Sequence, residues 1–225
     1  LAEAEAIQYK TKAYEGGLTG KLKISSASTG KYVIPYFLTG FLEQYRGFDL
    51  ILDVTNRSMV VNSLKKNEVD FAMETVVPEG LDVEEEILLD NKLYFVSKRK
   101  KYAEERPLIY REKGSATRMA MEQFFGETNK SGRKKMELTS NEAVKQAIIA
   151  DLGDSILPLI GIKNELLEQD LHIIDFPGLP MHTEWRLIWL KNKRLSVPAQ
   201  TYLDFLREQK EQILADKFSW YMEYE

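Results

Sequence analysis

Five short stretches of this 225-residue chain carry hydroxyl, amide or cationic side chains where a strand would hand over to a helix. They are Ser28-Thr29-Gly30-Lys31, Thr55-Asn56-Arg57-Ser58, Thr75, Gly114-Ser115-Ala116-Thr117-Arg118 and Thr139-Ser140-Asn141. A helix N-terminus exposes unpaired N–H groups at the positive end of its dipole, which favours anions. Ser and Thr add donors of their own. At any single junction, ordinary N-capping is the simpler account. Five junctions meeting along one cleft edge point instead to a small anionic ligand. Other chemistry is thin. His172 falls in a predicted strand and His182 in a loop that could face the cleft, and the pair lacks metal-ligand spacing. With no cysteine, disulfides, thiolate metal sites and cysteine nucleophiles are excluded. No G-x-S-x-G elbow occurs. Gly20-Lys21 is not a phosphate loop, because Glu15 stands where the first glycine belongs and Leu22 replaces the Ser or Thr. Asp82 and Glu84-Glu85-Glu86 read as polar strand and loop ends. No general acid, base or nucleophile stands out, so neither catalysis, a cofactor nor a metal is expected.

The elements that must present these junctions can be read from periodicity. Lys21–Ser26 alternates as a strand, Tyr32–Tyr45 is a helix with Pro35 in its first turn, and Asp49–Val54 is a strand. Ser58–Lys66 is a helix and Val69–Met73 a third strand. This β-α-β-α-β order with short links predicts a parallel sheet. Strands are also expected at Glu85–Leu89 and Leu93–Ser97. The charged run Lys98–Arg106 reads as a solvated boundary. A second α/β unit follows, with strands at 108–110, 135–138, 155–157 and 171–175 and helices at 116–125, 141–152 and 160–168. Pro177-Gly178-Leu179-Pro180 marks a second boundary before a strand at 185–190 and a last helix from Pro198 to about Leu214. Two α/β units and two boundaries predict two lobes, 20–100 with 184–225, and 101–183, joined by a hinge. Ligands of open α/β sheets sit beyond the carboxyl ends of the strands, which is where the five junctions fall.

The helix Tyr32–Tyr45 is apolar nearly all round. Val33, Ile34, Phe37, Leu38, Phe41 and Leu42 form one face, with Tyr32, Tyr36 and Gly40 opposite. Such a helix needs burial on two sides. The second cover is either a partner subunit, through Tyr32, Tyr36, Phe37, Gly40 and Phe41, or the chain's own tail around Phe218-Ser219-Trp220-Tyr221. The partner is the preferred reading.

Charge and composition narrow the classes. With 31 basic and 35 acidic residues the net charge is -4, which argues against duplex binding by this chain itself. A hydrophobic fraction of 44% excludes general disorder. No apolar run is long enough to span a bilayer. The chain opens Leu1-Ala2-Glu3-Ala4, which suggests a fragment or a processed product. Residues 1–15 are rich in helix formers and Gly16-Gly17 would end the helix, so 1–19 reads either as the end of a linker helix or as a loose terminal one.

Several stretches, in order, carry a family likeness. They are Ser28-Thr29-Gly30-Lys31-Tyr32 with Pro35, Asn56-Arg57, Asn67–Ala72, Arg111–Arg118, Ser140–Ala147 and Lys193-Arg194-Leu195-Ser196 with Pro198. From about Gly20 to Leu206 the chain resembles the effector-binding domain of LysR-type transcriptional regulators, a bacterial family, and is similar to the subgroup governing Calvin-cycle carbon-fixation operons. The resemblance implies an α/β fold of two Rossmann-like subdomains with a hinge and a central cleft, like type 2 periplasmic binding proteins. It implies a cytoplasmic regulator whose operator DNA is bound only by an N-terminal helix-turn-helix outside this chain. It also implies a homodimer, and a tetramer in the full-length protein, with no membrane partner. A small anionic effector is implied between the subdomains, at Ser28, Thr29, Asn56, Arg57, Thr75, Ser115, Thr117, Ser140 and Asn141, with Lys31 and Arg118 as neighbouring cations. Lys113 and Ala116 depart from the family's usual proline and glycine, and Asp154 replaces an apolar residue, which would bring a negative charge near the cleft. A periplasmic solute-binding protein of a transporter is the alternative reading, and an enzyme on the same scaffold ranks last.

Overall fold

The computed structural model describes residues 19–128 and 133–224. The expected linker helix at 1–19 therefore lies outside the described residues, apart from its last position. Strand β1 (Gly20–Ala27) runs into a 3-10 turn (Ser28–Tyr32) and helix α1 (Ile34–Gln44). Then come β2 (Phe48–Thr55), α2 (Arg57–Lys65) and β3 (Phe71–Glu74). Both crossovers give parallel pairs, β2 with β1 and β1 with β3, as the β-α-β spacing predicts.

The rest of the sheet is not parallel. Strand β9 (Met181–Leu190) lies antiparallel between β3 and β4 (Val83–Ser97), in the order β2-β1-β3-β9-β4 and then β7 (Ser155–Pro158). The two strands expected at 85–89 and 93–97 are one 15-residue strand. Asp90-Asn91-Lys92 falls between the two expected strands, but its polar groups are satisfied inside the ladder. The Asn91 amide donates to Thr183 Oγ1 at 2.9 Å, and the Lys92 N–H donates to the Tyr221 hydroxyl at 2.8 Å. The register slips between Ile87 and Leu89, so that Leu88 and Leu89 are both buried. The first part of β4 pairs only with β9, while Leu93–Val96 pair with β7 (Ser155–Pro158). This antiparallel β4–β9 pair carries the chain between the lobes.

The second lobe contains β5 (Leu108–Arg111), α3 (Ala116–Thr128), β6 (Lys135–Leu138) and α4 (Asn141–Ile149). After β7, the helix expected at 160–168 is a 3-10 turn (Leu159–Gly161) followed by a short α5 (Lys163–Leu167). The strand expected at 171–175 shrinks to β8 (His172–Ile173), which pairs with the end of β4. Parallel β5 and β6 join the main sheet through a bridge from Leu108 to Asp154. A core of Leu93, Phe95, Tyr110, Met121, Phe125 and Ile156 lies beneath α3.

The last helix, α6 (Val197–Met222), runs well past the expected end. It supplies the second cover of α1. Phe218 stacks on Phe37 at 5.7 Å, and Phe41 packs against Tyr202 at 5.1 Å and Phe205 at 5.7 Å. Phe37 and Phe41 are fully buried within the chain, so they cannot form the partner surface that was expected of them. Gly40 abuts Phe205. Of the five residues assigned to that surface, Tyr36 is exposed and Tyr32 partly so.

Candidate functional site

The strand ends of the two lobes meet face to face. The Ser58 N–H donates to the Gly114 carbonyl at 3.2 Å. Arg111 Nη2 donates to Ser28 Oγ at 3.2 Å, and the Tyr32 hydroxyl reaches Glu142 at 3.5 Å. Between the lobes lies a cavity of about 130 Å³. Thr29, Thr75 and Thr117 line it, together with Asn91, Gln123 and Thr183, over an apolar floor that includes Leu93, Pro158, Met181 and Trp185.

Local structure explains why the threonines point there. The 3-10 turn after β1 folds back tightly on the strand. A Cβ on Gly30 would sit 2.1 Å from Ser26 Oγ, so a larger residue would have to displace that side chain to keep this return. The turn leaves Thr29 buried at the cavity wall. Thr75 follows the last residue of β3, and Thr117 lies in the first turn of α3.

Three further polar groups were not singled out by sequence. Asn91 Oδ1 and Trp185 Nε1 border this cavity, both buried and without a hydrogen-bond partner among the described residues. Arg111 is buried, pairs with Glu112 at 2.8 Å, and keeps Nη1 unpartnered. Asn91 falls between two expected strands, Trp185 opens an expected apolar strand, and Arg111 follows the expected strand 108–110 as the first residue of a family-like stretch, with no site role given to it. A polar Asn-Lys pair interrupting an apolar strand pattern was the available signal. Asn141 was expected and is found 7% exposed, with both amide atoms unpartnered. It borders a water-sized gap of about 10 Å³ shared with Thr29, Tyr32 and Lys145.

Other expected residues are occupied elsewhere. Asn56 caps α2, accepting the Met59 N–H at 3.1 Å, and Ser140 caps α4, accepting that of Ala143 at 3.0 Å. Ser115 Oγ lies 3.5 Å from the Arg118 N–H. Arg118 pairs with Glu122 at 2.7 Å and with Glu137, and donates to the Arg111 carbonyl at 2.8 Å. Lys31 lines a different cavity, beside α1. Asp154 does not bring charge to the cleft, because Arg106 holds it in a buried pair at 3.0 Å. His182 is exposed and pairs with Asp90 at 2.9 Å. No group of metal-ligating side chains occurs among the described residues.

Behind the cleft, Glu74 is fully buried and no side chain among the described residues hydrogen-bonds its carboxyl, which has the Thr75 backbone close by. Burial raises its pKa to about 8, against the opposing attraction of Arg57. At neutral pH Glu74 therefore keeps its proton, and the Arg57 charge at the head of α2 is not cancelled.

Residues 15–211 match the model of the LysR substrate binding domain. The chain belongs to this family. It is 38% identical over 203 residues to the HTH-type transcriptional activator CmpR of Synechocystis sp., covering 85% of this chain and 67% of that protein. It is 36% identical over 207 residues to the RuBisCO operon transcriptional regulator of Allochromatium vinosum, covering 87% and 68%. The regulatory domain of Synechocystis CcmR, solved in complex with 2-PG, superposes with a TM-score of 0.79 at 32% identity. That superposition covers 86% of this chain and 98% of the CcmR domain. The two-lobed LysR regulatory fold and the likeness to carbon-fixation regulators are thus established, and the transporter reading finds no support. LysR relatives are transcriptional regulators and not enzymes.

Proposed function

We propose that this LysR domain senses a small phosphorylated or carboxylated metabolite held between its lobes. The observation that carries this reading is the polar lining of the interlobe cavity, where Thr29, Thr75, Thr117 and Thr183 stand with Asn91 and Trp185. Asn91 Oδ1 and Trp185 Nε1 are buried without a partner among the described residues, and Asn141 borders a separate small gap that also touches Thr29. Leaving a buried polar group unmade costs about 1–3 kcal/mol, so a partner is called for. The small cavity suits a compact ligand rather than a drug-sized one. Arg111, paired with Glu112 but with Nη1 unpartnered among the described residues, lies where the lobes meet, against Ser28. Asn56 and Ser140 cap helices, Arg118 is ion-paired, Ser28 accepts from Arg111, and Lys31 lines the other cavity, so these and Ser115 remain supporting positions at most. The CcmR complex makes 2-phosphoglycolate the first candidate.

In this reading, residues 20–100 with 184–225 form one lobe and 101–183 the other, and closure over the ligand favours one geometry of an assembled regulator. Such a shift requires different ligand affinity for the two states. The assembly is a cytoplasmic homodimer, tetrameric in the longer protein, with operator DNA bound by an N-terminal helix-turn-helix segment. No helix among the described residues is long and apolar enough to cross a membrane.

Thermal unfolding with 2-phosphoglycolate tests the proposal. At one hundred times Kd, a ligand bound only by the folded state adds about 2.7 kcal/mol. Thr29→Val with Thr75→Val should remove most of that gain. If neither 2-phosphoglycolate nor related small anions raise the melting temperature, or if the double variant responds like the parent, the site is misassigned.

A further inference from the structure

A larger cavity, of about 320 Å³, lies outside the interlobe gap. Tyr32, Pro35 and Tyr36 at the start of α1 form one wall, and Ile160 to Glu165 of the second lobe form another. Lys217, Phe218 and Trp220 of α6 close the third. This last wall lies beyond residue 211, where the match to the LysR family model ends. Two walls of the cavity thus lie inside the matched residues and one outside them.

Its charge is unusual for a chain of net charge -4. Four lysines line it, Lys31, Lys145, Lys163 and Lys217, against a single carboxylate, Glu165. That carboxylate is committed. Lys145 Nζ binds Glu165 at 2.6 Å and Glu142 at 3.0 Å. Burial works against the Lys145 charge, but these two hydrogen bonds outweigh it and raise the pKa. The other three lysines make no salt bridge among the described residues. Lys163 rests over the Trp220 ring at 4.5 Å and Lys31 over the Tyr32 ring at 5.0 Å. An aromatic face holds a cation without neutralising it. Lys31 is near enough to Glu142 to help hold its carboxyl down, so its charge is partly met. Three ammonium groups without a salt bridge among the described residues, from three separate segments, thus share one concave, partly aromatic recess of ligand size.

We propose that this recess is a second site, separate from the interlobe cleft, for a small ligand bearing two or more negative charges. Lys31 and Lys217 reach it from the first lobe and Lys145 and Lys163 from the second. A polyanion seated there bridges the lobes, and so couples to closure. Glu165 and Glu142 limit it to ligands that meet Lys31, Lys163 and Lys217.

Inorganic pyrophosphate is a suitable probe, titrated calorimetrically into the whole chain at low salt. Lys163 and Lys217 hold no salt bridge among the described residues, so Lys163→Gln with Lys217→Gln leaves the fold intact. A unit charge at 4 Å is worth about 1 kcal/mol in bulk water. The double variant should therefore bind pyrophosphate at least roughly tenfold more weakly, about 1.4 kcal/mol. Lys163→Arg with Lys217→Arg should bind as the parent does, and so should Thr75→Val in the cleft. Loss of pyrophosphate binding in Thr75→Val, with retention in the lysine-to-glutamine variant, would place the probe in the cleft and overturn the second site. Absence of binding by the parent at millimolar pyrophosphate would overturn it as well, without touching the cleft assignment.

Discussion

Glu74 and Arg57 meet behind the cleft, and their balance makes stability depend on pH. The unfolded chain ionises Glu74 near its ordinary value of 4.5, whereas the folded state holds the proton up to about 8. Between these values the native state binds more protons than the unfolded one, so stability falls as pH rises and levels off above about 8. The contribution is complete below about pH 4.5. Glu74→Gln keeps the shape and cannot ionise. Urea unfolding across this range should show a flatter pH profile for the variant, and a more stable variant than parent at the alkaline end. Parallel profiles would mean that Glu74 titrates normally. The same pair marks how far the site was legible in the sequence. Hydroxyls at strand ends could be placed, because the β-α-β spacing fixes where strands stop, and Thr29, Thr75 and Thr117 indeed share a cavity. Which cation serves which surface could not be read. Side-chain direction at a helix start depends on tertiary partners, and Glu137, 19 residues along the chain, draws Arg118 away.

Helix α6 is the element whose length changes the interpretation of its neighbours. Its last turns place Phe218 on Phe37 and edge-on to Tyr36 at 5.4 Å. They also set Tyr221 against the strand that crosses between the lobes, where Lys92 Nζ donates to the Tyr221 carbonyl at 3.3 Å and to that of Tyr224 at 2.5 Å. The extension is therefore part of the core, and Phe218→Ala should lower unfolding free energy by about 3–5 kcal/mol, as for other buried aromatics. Tyr221→Phe removes a single acceptor and should lower it by about 1–3 kcal/mol. A denaturation midpoint unchanged in Phe218→Ala would return this segment to the status of a loose tail. The helix was foreseen only to about Leu214, because Ala215-Asp216-Lys217 breaks the apolar pattern on the exposed side while the buried side continues through Phe218 and Tyr221. The long β4 was divided for a similar reason. A bulge and an Asp-Asn-Lys run interrupt alternation, and only pairing with β9 and Tyr221 makes them tolerable. The β-α-β-α-β half was legible throughout, since local periodicity and short links suffice to specify it.

At the scale of the whole molecule, the two lobes touch along a seam where the clearance between side chains decides whether closure is possible. Gly161 comes from the second lobe and Tyr32 from the first, and a Cβ on Gly161 would stand 3.0 Å from the Tyr32 ring. That is closer than aliphatic and aromatic carbons settle, about 3.5–4.0 Å. Gly161→Val therefore acts as a wedge. In this structure Tyr32 meets Gly161, Arg111 meets Ser28 and Ser58 meets Gly114 across the seam. Under the closure proposed above, a ligand that selects this arrangement must first overcome the wedge. The apparent affinity falls by the fraction of molecules still able to close. A penalty of about 1.4 kcal/mol on the closed state means roughly tenfold weaker binding. Calorimetry with 2-phosphoglycolate should register that loss, with little change in urea stability of the free domain, and small-angle scattering should find the liganded variant more extended than the liganded parent. Tyr32 and Gly161 also line the lysine-rich recess, so pyrophosphate binding should weaken in the same variant. If the wedge left both affinities intact, the lobes would be a rigid unit at this seam, and ligand binding would have to act on the assembly by a route other than closure.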